Sequence, residues 1–301
     1  MKIGILSRNS HLYSTRRLAQ AAKLRGHSTT IVDTTTIPLE MGQVTRLGQK
    51  YAHLDAIIPR IGTSIAGYGI AVVRHFEALN ITTTASSEGI HRASDKLLSL
   101  QLMNREGLPL PKTAVIHNHT TLPTAIRAVG GLPVVLKRSY GSQGQGVELV
   151  HDLKTAVHTF RQLHRAYDQV LIQEFIAEAE GKDLRLIMVN GRCVAAMQRS
   201  APPDDFRANL HQGGTAVSVD PTPAMRDLAR KVCQVHNIAV AGVDLVHSKR
   251  GPLLLEVNAS PGLKGIEQAS GVNVAKAIVE YLETAVPPQQ KKRKKRKKKR
   301  A

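Results

Sequence analysis

Two carboxylates near the C-terminal end of the chain are predicted to face each other across a β-hairpin. Residues 242–258 form two apolar strands joined by a turn at residues 248–251, which sets Asp244 opposite Glu256. Asn258 lies on the same face as Glu256, because side chains alternate along a strand. Facing like charges destabilise a hairpin, so we expect a cation between them. Oxygen ligands of this kind suit magnesium and disfavour zinc. The alternative, a solvated face with incidental acids, is disfavoured by the apolar neighbours.

A glycine-rich loop after Lys137 is a second candidate for phosphate chemistry. Gly141, Gly144 and Gly146 allow backbone N–H groups to turn inward around phosphate oxygens. Lys137, at the end of the predicted preceding strand, adds a positive charge. The spacing is not that of a Walker loop, because Val147 follows the last glycine. Taken alone, the loop fits a plain hairpin turn equally well.

The elements that position these residues begin with alternating strands and helices. Strands are predicted at Lys2–Leu6, Ser28–Val32, Asp55–Ile58 and Ile81–Thr84, and helices at Thr15–Arg25 and Tyr68–Leu79. This alternation is typical of an open parallel sheet with helices on its faces. The first strand is not followed by the Gly-x-Gly-x-x-Gly fingerprint, which disfavours a dinucleotide-binding oxidoreductase.

The rest of the chain predicts a second unit of strands, hairpins and helices. Ser94 is a good N-cap for a helix through Glu106, and Pro109 and Pro111 mark a linker. Further strands are predicted at Pro133–Lys137, Val147–Val150, Val170–Glu174, Asp183–Val189 and Cys193–Gln198. Further helices are predicted at Leu153–Arg165, at Pro223–His236, and in a segment that ends near Ala285.

The composition predicts a basic protein with acidic partners or substrates. The net charge of the 301 residues is +19, and residues 291–300, all Lys or Arg, carry ten of these charges. The rest of the chain therefore keeps +9 and is basic in its own right. Cys193 and Cys233 have no metal-binding spacing and fit reduced thiols. No signal peptide or membrane span is predicted, so we expect a cytoplasmic protein without membrane contact.

In chain order these motifs resemble the ATP-grasp superfamily of carboxylate–amine ligases, and more narrowly the RimK family. The matching stretches are Pro59–Thr63, Ser94–Lys96, Gly141–Val147, Asp205–Gly214, Ala241–Asp244 and Glu256–Glu267. The resemblance runs from Met1 to about Ala285. It implies an α/β protein in which two α+β subdomains clasp ATP behind an N-terminal open parallel α/β domain. The implied boundaries are 1–92 for the N-terminal domain, 93–170 and 171–286 for the two ATP-grasp subdomains, and 287–301 for a disordered polybasic tail.

The resemblance also implies a nucleotide site, two metal ions and two catalytic residues. The catalytic residues would be Lys137 and Arg207. Asp244 and Glu256 would hold one magnesium ion, and Glu256 and Asn258 a second, with manganese as an alternative ion. The nucleotide would be contacted by Lys96 and Lys137 at the phosphates, by Gly141, Gly144 and Gly146 in the loop, by Glu174 and Phe175 at the adenine, by Asp183 at the ribose, and by Arg207, Ala208 and Asn209 near the terminal phosphate.

A carboxylate substrate must be held against the repulsion of ATP, and arginine suits that role because it binds carboxylates with two parallel hydrogen bonds. The candidates are Arg60, Arg185, Arg199 and Arg207. A surface role is the alternative for each except Arg207, which lies in a family-like motif. His211 lies in the same motif and has two open interpretations, a carboxylate contact or a loop cap.

The implied reaction uses ATP and magnesium to add glutamate, through an acylphosphate, to the C-terminus of the sixth small-subunit ribosomal protein. Synthesis of poly-α-glutamate is a related activity. A ligase for another amino acid or a carrier protein remains an alternative, and so does a non-catalytic RNA- or ribosome-binding protein. Lys291–Arg300 would contact ribosomal RNA or polyglutamate, or would be a solvated appendage. Assemblies of the family imply a homo-oligomer.

Overall fold

The computed structural model describes residues 1–39, 51, 53–139, 146–164, 169–203, 205–210 and 213–287, which form three β-sheets. The N-terminal sheet is parallel, with strand order β2-β1-β3-β4. Its strands are β1 (Lys2–Leu6), β2 (Ser28–Val32), β3 (Ala56–Pro59) and β4 (Thr82–Thr83), and its helices are α1 (Tyr13–Leu24) and α2 (Ala66–Ala78). In this order the chain leaves β1 on one side and returns on the other, so the strand ends of β1 and β3 form a topological switch point. The predicted alternation of strands and helices is confirmed.

Two helices lead out of the N-terminal sheet, α3 (Ser87–Ser94) and α4 (Lys96–Arg105). The prediction that Ser94 is the N-cap was wrong, because Asp95 caps α4 by accepting a hydrogen bond from the Leu98 N–H at 3.0 Å. Ser94 instead ends α3, and its hydroxyl donates to the His91 carbonyl at 3.0 Å. The shift places Lys96 in the first turn of α4, where the helix dipole disfavours a cation. A lysine there therefore indicates a role other than helix stability.

The middle sheet is antiparallel, with strand order β5-β8-β6-β7. Its strands are β5 (Thr113–Ile116), β6 (Val134–Arg138), β7 (Val147–Val150) and β8 (Val170–Glu174), and its helices are α5 (Leu122–Ala128) and α6 (Leu153–Leu163). Leu136, Phe160 and Ile172 belong to a buried cluster that contains only residues of this unit. The middle sheet therefore has a hydrophobic core of its own.

The C-terminal sheet is antiparallel, with strand order β11-β10-β9-β12-β13. Its strands are β9 (Lys182–Val189), β10 (Arg192–Ser200), β11 (Thr215–Ser218), β12 (Val240–Ser248) and β13 (Gly251–Asn258), and its helices are α7 (Pro223–His236), α8 (Lys264–Ser270) and α9 (Val274–Ala285). Asn190 and Gly191 both have positive φ, at 49° and 73°, as a tight hairpin turn requires. Two buried clusters combine this sheet with the N-terminal one, for example through Ile5, Ile187 and Ile278. No helix in the described ranges is long and apolar enough to cross a membrane.

A buried histidine joins α4 to α7. His236 is fully buried, and its Nδ1 donates to the Val232 carbonyl at 2.9 Å. Its Nε2 lies 2.8 Å from the Ser99 hydroxyl, which can then donate to it. Burial lowers the pKa of His236, and the charge of Arg92 lowers it further, against the raising effect of the Val232 carbonyl. The neutral ring therefore holds in place the helix that carries Lys96.

We expect stability to fall in mild acid because His236 is neutral when folded. Its folded pKa lies below the ordinary value of 6.5, so the unfolded chain binds the proton first as the pH falls below 6.5. Each unit of pKa difference is worth about 1.4 kcal/mol. Denaturant unfolding at pH 7.5 and pH 5.5 should show this loss in the wild type and a smaller one in His236→Gln. The exposed His247 is the control. If His247→Gln reduces the acid-induced loss of stability as much as His236→Gln does, His236 is not the group responsible.

Candidate active site

A row of charged side chains crosses the C-terminal sheet from strand to strand. Asp183 and Arg185 lie on β9, two residues apart and hence on one face. Arg199 pairs with Asp183 across the β9–β10 ladder, and Asp244 pairs with Arg185 across the β9–β12 ladder. Asp244 also pairs with Glu256 of β13, which extends the row to the sheet edge. The row therefore unites residues that sequence analysis had assigned to three different roles.

The predicted hairpin register is confirmed where it matters for chemistry. Asp244 is directly opposite Glu256, and Gly242 is opposite Asn258. Closer to the turn the register shifts by one residue, since Leu245 pairs with Leu254 and leaves Leu255 as the extra residue of a β-bulge. Bulges of this kind often lie beside active sites, because they change the direction of the side chains next to them.

Four members of the row, two arginines and two aspartates, are joined by close hydrogen bonds between opposite charges. Arg185 donates to Asp244 from Nε to Oδ1 at 2.7 Å and from Nη2 to Oδ2 at 2.6 Å. Arg199 donates to both oxygens of Asp183 at 2.6 and 2.7 Å, and its Nη2 also reaches Asp244 Oδ2 at 2.9 Å. Two guanidiniums and two carboxylates thus neutralise one another inside the sheet.

The two aspartates of the row differ in how readily they bind a proton. Burial raises the pKa of Asp183, and its main partner Arg199 offsets only part of that effect. Burial also acts to raise the pKa of Asp244, but the charges and hydrogen bonds of Arg185 and Arg199 outweigh it and hold that pKa below its ordinary value. Of these two aspartates, Asp244 is therefore the one that stays ionised.

Two lysines from different parts of the fold approach Glu256. Lys96 Nζ, at the start of α4, lies 3.8 Å from Glu256 Oε1. Lys137, on β6 of the middle sheet, donates to Gln173 Oε1 at 2.6 Å. Burial lowers the pKa of Lys137 to about 8, while Glu256 acts to raise it and Lys96 to lower it. Three separate elements therefore bring two cations and one carboxylate together, as the predicted phosphate and metal roles require.

The segment around Arg207 packs against the middle sheet. Arg207 donates from Nε and Nη2 to the Asp205 carboxylate at 2.8 to 3.1 Å, and from Nη1 to the Val147 carbonyl at 3.4 Å. Phe206 meets Phe175 edge to face, with ring centroids 6.1 Å apart. Asp205 fixes the guanidinium that was predicted to be catalytic. Sequence analysis did not assign that role to Asp205, although its spacing of two residues from Arg207 was the available signal.

The other predicted nucleotide residues lie near the same junction. Glu174 ends β8, and its carboxylate accepts a hydrogen bond from the Lys112 N–H at 2.7 Å and another from Arg250 in the β12–β13 turn. Ala208 is buried, and the Asn209 N–H donates to the Arg207 carbonyl at 2.7 Å. Gly146 has φ of +68°, which favours glycine there. The predicted positions Gly141, Gly144 and His211, and the tail Lys291–Arg300, lie outside the described residues.

The oxygen donors on β12 and β13 fit magnesium. Among the described residues, Asp244 Oδ1 accepts one bond, from Arg185, and Asn258 Oδ1 accepts one bond, from the Ser260 N–H at 2.8 Å. Such oxygens have two acceptor positions, so each keeps one for a metal ion. The Glu256 side chain is 44% exposed and reachable. Within the described ranges no three His, Cys, Asp or Glu side chains form a metal site, and the third predicted donor is an amide, that of Asn258.

Comparisons with known proteins cover nearly the whole chain. A family model described as the RimK PreATP-grasp domain matches residues 1–90, and one described as the RimK-like ATP-grasp domain matches residues 93–282. The probable alpha-L-glutamate ligase of Aeromonas salmonicida is 45% identical over 287 residues, which are 94% of this chain and 96% of that protein. Its counterpart from Cellvibrio japonicus is 44% identical over 295 residues, 96% of this chain and 97% of that protein.

Solved structures show the fold. The ATP-grasp ligase PsnB with its minimal precursor has a TM-score of 0.73 at 16% identity and covers 95% of this chain and 98% of that one. A RimK domain protein from Sphaerobacter thermophilus has a TM-score of 0.70 at 20% identity, covering 94% of this chain and 99% of that one. The predicted ATP-grasp fold behind an N-terminal parallel α/β domain is confirmed.

Loss of Arg199 should be costly, because it leaves two buried carboxylates short of a partner. We expect Arg199→Met to lower the free energy of unfolding by about 3–5 kcal/mol, the usual effect of breaking a buried ion pair. Adding Asp183→Asn should recover part of that loss, because the two residues are directly coupled. Denaturant unfolding of the single and double variants measures both effects.

Arg230 provides the matched control for this experiment. It pairs with Asp227 at 2.6 Å, but both side chains are about half exposed. Arg230→Met should therefore cost less than about 1 kcal/mol. Equal losses in Arg199→Met and Arg230→Met would show that the row contributes no more than a surface ion pair.

Proposed function

The chain belongs to the RimK-like ATP-grasp family of carbon–nitrogen ligases, and from this premise we propose that it uses ATP to join glutamate to a peptide carboxylate. A carboxylate is a poor electrophile, so it must be activated first. One of its oxygens attacks the γ-phosphorus of ATP, the bond to the leaving oxygen breaks, and ADP departs. The amino nitrogen of glutamate then attacks the acyl carbon and loses a proton, and inorganic phosphate leaves with the electrons of the broken C–O bond.

The chain's own cations perform the electrostatic part of this reaction. Lys96 and Lys137 bind the phosphates, and Arg207, held by Asp205, stabilises the charge that develops on the transferred group. Asp244, Glu256 and Asn258 would hold two magnesium ions that share Glu256, and manganese suits the same oxygen donors. Bound metal supplies further neutralisation of the phosphoryl oxygens.

One observation supports this proposal above the others, namely that Lys96, Lys137 and Glu256 converge from three separate elements. A non-catalytic binding protein has no need of this arrangement.

Asp183 is the proposed ribose contact. Both of its oxygens bind Arg199, yet each keeps one acceptor position for a hydroxyl group. Glu174 and Phe175 are proposed to contact the adenine from the end of β8.

We propose the C-terminus of a small-subunit ribosomal protein as the acceptor, with poly-α-glutamate as a second product. The name of the curated relatives supports glutamate as the amine, and the basic body, with +9 beyond the polybasic tail, supports an acidic product. Contact of the tail with RNA or polyglutamate, a cytoplasmic location and a homo-oligomer stay predictions.

Glu256→Gln tests the ligase directly. The side chain is half exposed and paired only loosely with Lys96, so its loss should hardly change the stability. It should still lower ADP release with ATP, magnesium and glutamate by more than about 100-fold, which is the upper end of the effect of losing an outer-shell partner of a metal. Mass spectrometry of an acceptor peptide should show increments of one glutamate residue with the wild type.

The exposed Asp227 supplies the control for Glu256→Gln, since Asp227→Asn should leave both ADP release and the addition of glutamate to the acceptor peptide unchanged. If the wild-type protein releases no ADP with glutamate alone or with glutamate and the acceptor peptide, the proposed glutamate ligase activity is wrong. Normal ADP release by Glu256→Gln would instead remove the metal role from Glu256.

The depressed pKa of Lys137 predicts a loss of ATP use at high pH. Its pKa of about 8 means that the ammonium loses its proton as the pH rises past 8, and with it the attraction for phosphate. We expect kcat/KM for ATP, which reports groups of the free enzyme, to fall by up to about tenfold per pH unit above 8. Lys137→Arg should remove this fall because arginine stays protonated. Lys231→Arg, at an exposed position, should keep it, and an identical profile for both variants would contradict the role of Lys137.

A further inference from the structure

Among the four arginines that were candidates for the substrate carboxylate, three already have a carboxylate partner. Arg185 binds Asp244, Arg199 binds Asp183 and Asp244, and Arg207 binds Asp205. The Arg60 guanidinium has no hydrogen bond or ion pair to any described residue. Arg60 is therefore the one candidate arginine whose charge no described carboxylate offsets.

Arg60 lies at the carboxyl edge of the N-terminal sheet. It directly follows β3, and its backbone N–H donates to the Leu6 carbonyl at the end of β1 at 2.8 Å. This fixes Arg60 at the switch point between β1 and β3. In open α/β sheets, ligands bind in the crevice outside the carboxyl ends of the strands at such a point.

The loop that follows the metal-binding strand closes on the same edge. Ser260 donates its hydroxyl to the Pro59 carbonyl at 3.2 Å, and its N–H donates to Asn258 Oδ1 at 2.8 Å. A chain of two hydrogen bonds thus connects the proposed metal ligand Asn258 with the strand end that carries Arg60. The edge of the N-terminal sheet and the end of β13 therefore form one continuous site.

The other described polar groups at this edge do not neutralise Arg60. Arg8, after β1, donates to the Ser64 hydroxyl at 2.9 Å and adds a second positive charge. Asp33, after β2, accepts hydrogen bonds from the N–H and hydroxyl of Thr35. Burial alone lowers the pKa of Arg60 to about 10, and no neighbouring charge contributes to that shift. An unpaired guanidinium in a half-buried position destabilises the ligand-free protein, and an anionic ligand would offset that effect.

We propose that Arg60 binds a carboxylate of the substrate at the switch point of the N-terminal sheet, with the two parallel hydrogen bonds that a guanidinium offers. This inference rests on the proposed function, because the ligase uses substrates with several carboxylates. The carboxylate belongs either to the incoming glutamate or to the C-terminal residues of the acceptor. The chemistry is the same in both cases, and the experiment distinguishes them.

Arg60→Met in the full chain is the test, with Arg74→Met at an exposed position on α2 as the matched control. We expect KM for one carboxylate substrate to rise about 10- to 100-fold in Arg60→Met, the range for losing hydrogen bonds to a charged group. KM for ATP should stay within about twofold of the wild type. Arg60→Lys should give an intermediate KM, since lysine keeps the positive charge but cannot form the two parallel hydrogen bonds of a guanidinium.

The two sources of the carboxylate are compared in separate arms. If KM for glutamate rises in Arg60→Met, and wild type and Arg60→Met have the same KM when glutamine replaces glutamate as the amine donor, Arg60 binds the side-chain carboxylate of glutamate. If KM rises only for the acceptor, measured with peptides that end in Glu-Glu or in Gln-Gln, the bound carboxylate belongs to the acceptor. An unchanged KM in both arms overturns the inference while leaving the ligase intact.

Thermal unfolding separates a binding role from a structural one. Ligand-free Arg60→Met should have a Tm equal to or above that of the wild type, because the variant removes an unpaired charge. Glutamate or acceptor peptide should raise the Tm of the wild type and of Arg74→Met but not that of Arg60→Met. A lower Tm for ligand-free Arg60→Met, or an equal ligand-induced rise, overturns the inference. Thermal unfolding tests binding by Arg60 even if no ADP release is found. In that case the proposed ligase activity would be wrong, independently of the result for Arg60.

Discussion

The ionised carboxylate of Asp244 is the constraint on which the site depends. A buried carboxylate would ordinarily take up a proton, since burial disfavours its charged form. Here Arg185 and Arg199 keep it charged and fix its orientation through three hydrogen bonds. The same bonds leave one acceptor position on Oδ1. The row on the sheet therefore keeps ready the carboxylate that we propose as a magnesium ligand.

The rest of the site is assembled around that row by contacts of a different kind. The middle sheet has its own apolar core, and its contacts to the C-terminal sheet include polar ones such as Glu174 with Arg250. The N-terminal and C-terminal sheets share apolar clusters instead. Polar junctions are typical of units that move relative to each other, whereas shared cores are typical of units that do not. Lys137 thus lies on the unit that is less tightly joined to the other two.

Local rules predicted most of the regular structure, and the failures were also local. The strand Val170–Glu174 and the helix Pro223–His236 have the predicted bounds. The helix Ser87–Ser94 was missed. The cap of the next helix was placed one residue early, because Ser94 and Asp95 both satisfy the cap rule and only the structure shows Asp95 in use. Strand β11 was also missed, since its four residues, three exposed and one half exposed, carry little apolar pattern.

The sequence by itself determined the facing pair Asp244 and Glu256, because hairpin register depends on a nearby turn and on the alternation of side chains. It also determined the family-like motifs that contain Lys96, Lys137 and Arg207. Only the tertiary structure decided which arginine is paired. Arg185 and Asp244 are 59 residues apart in the chain and meet because β9 and β12 are neighbours in the sheet. No local pattern encodes strand order, so the sequence could not show that three of the four candidate arginines have a carboxylate partner while Arg60 has none among the described residues.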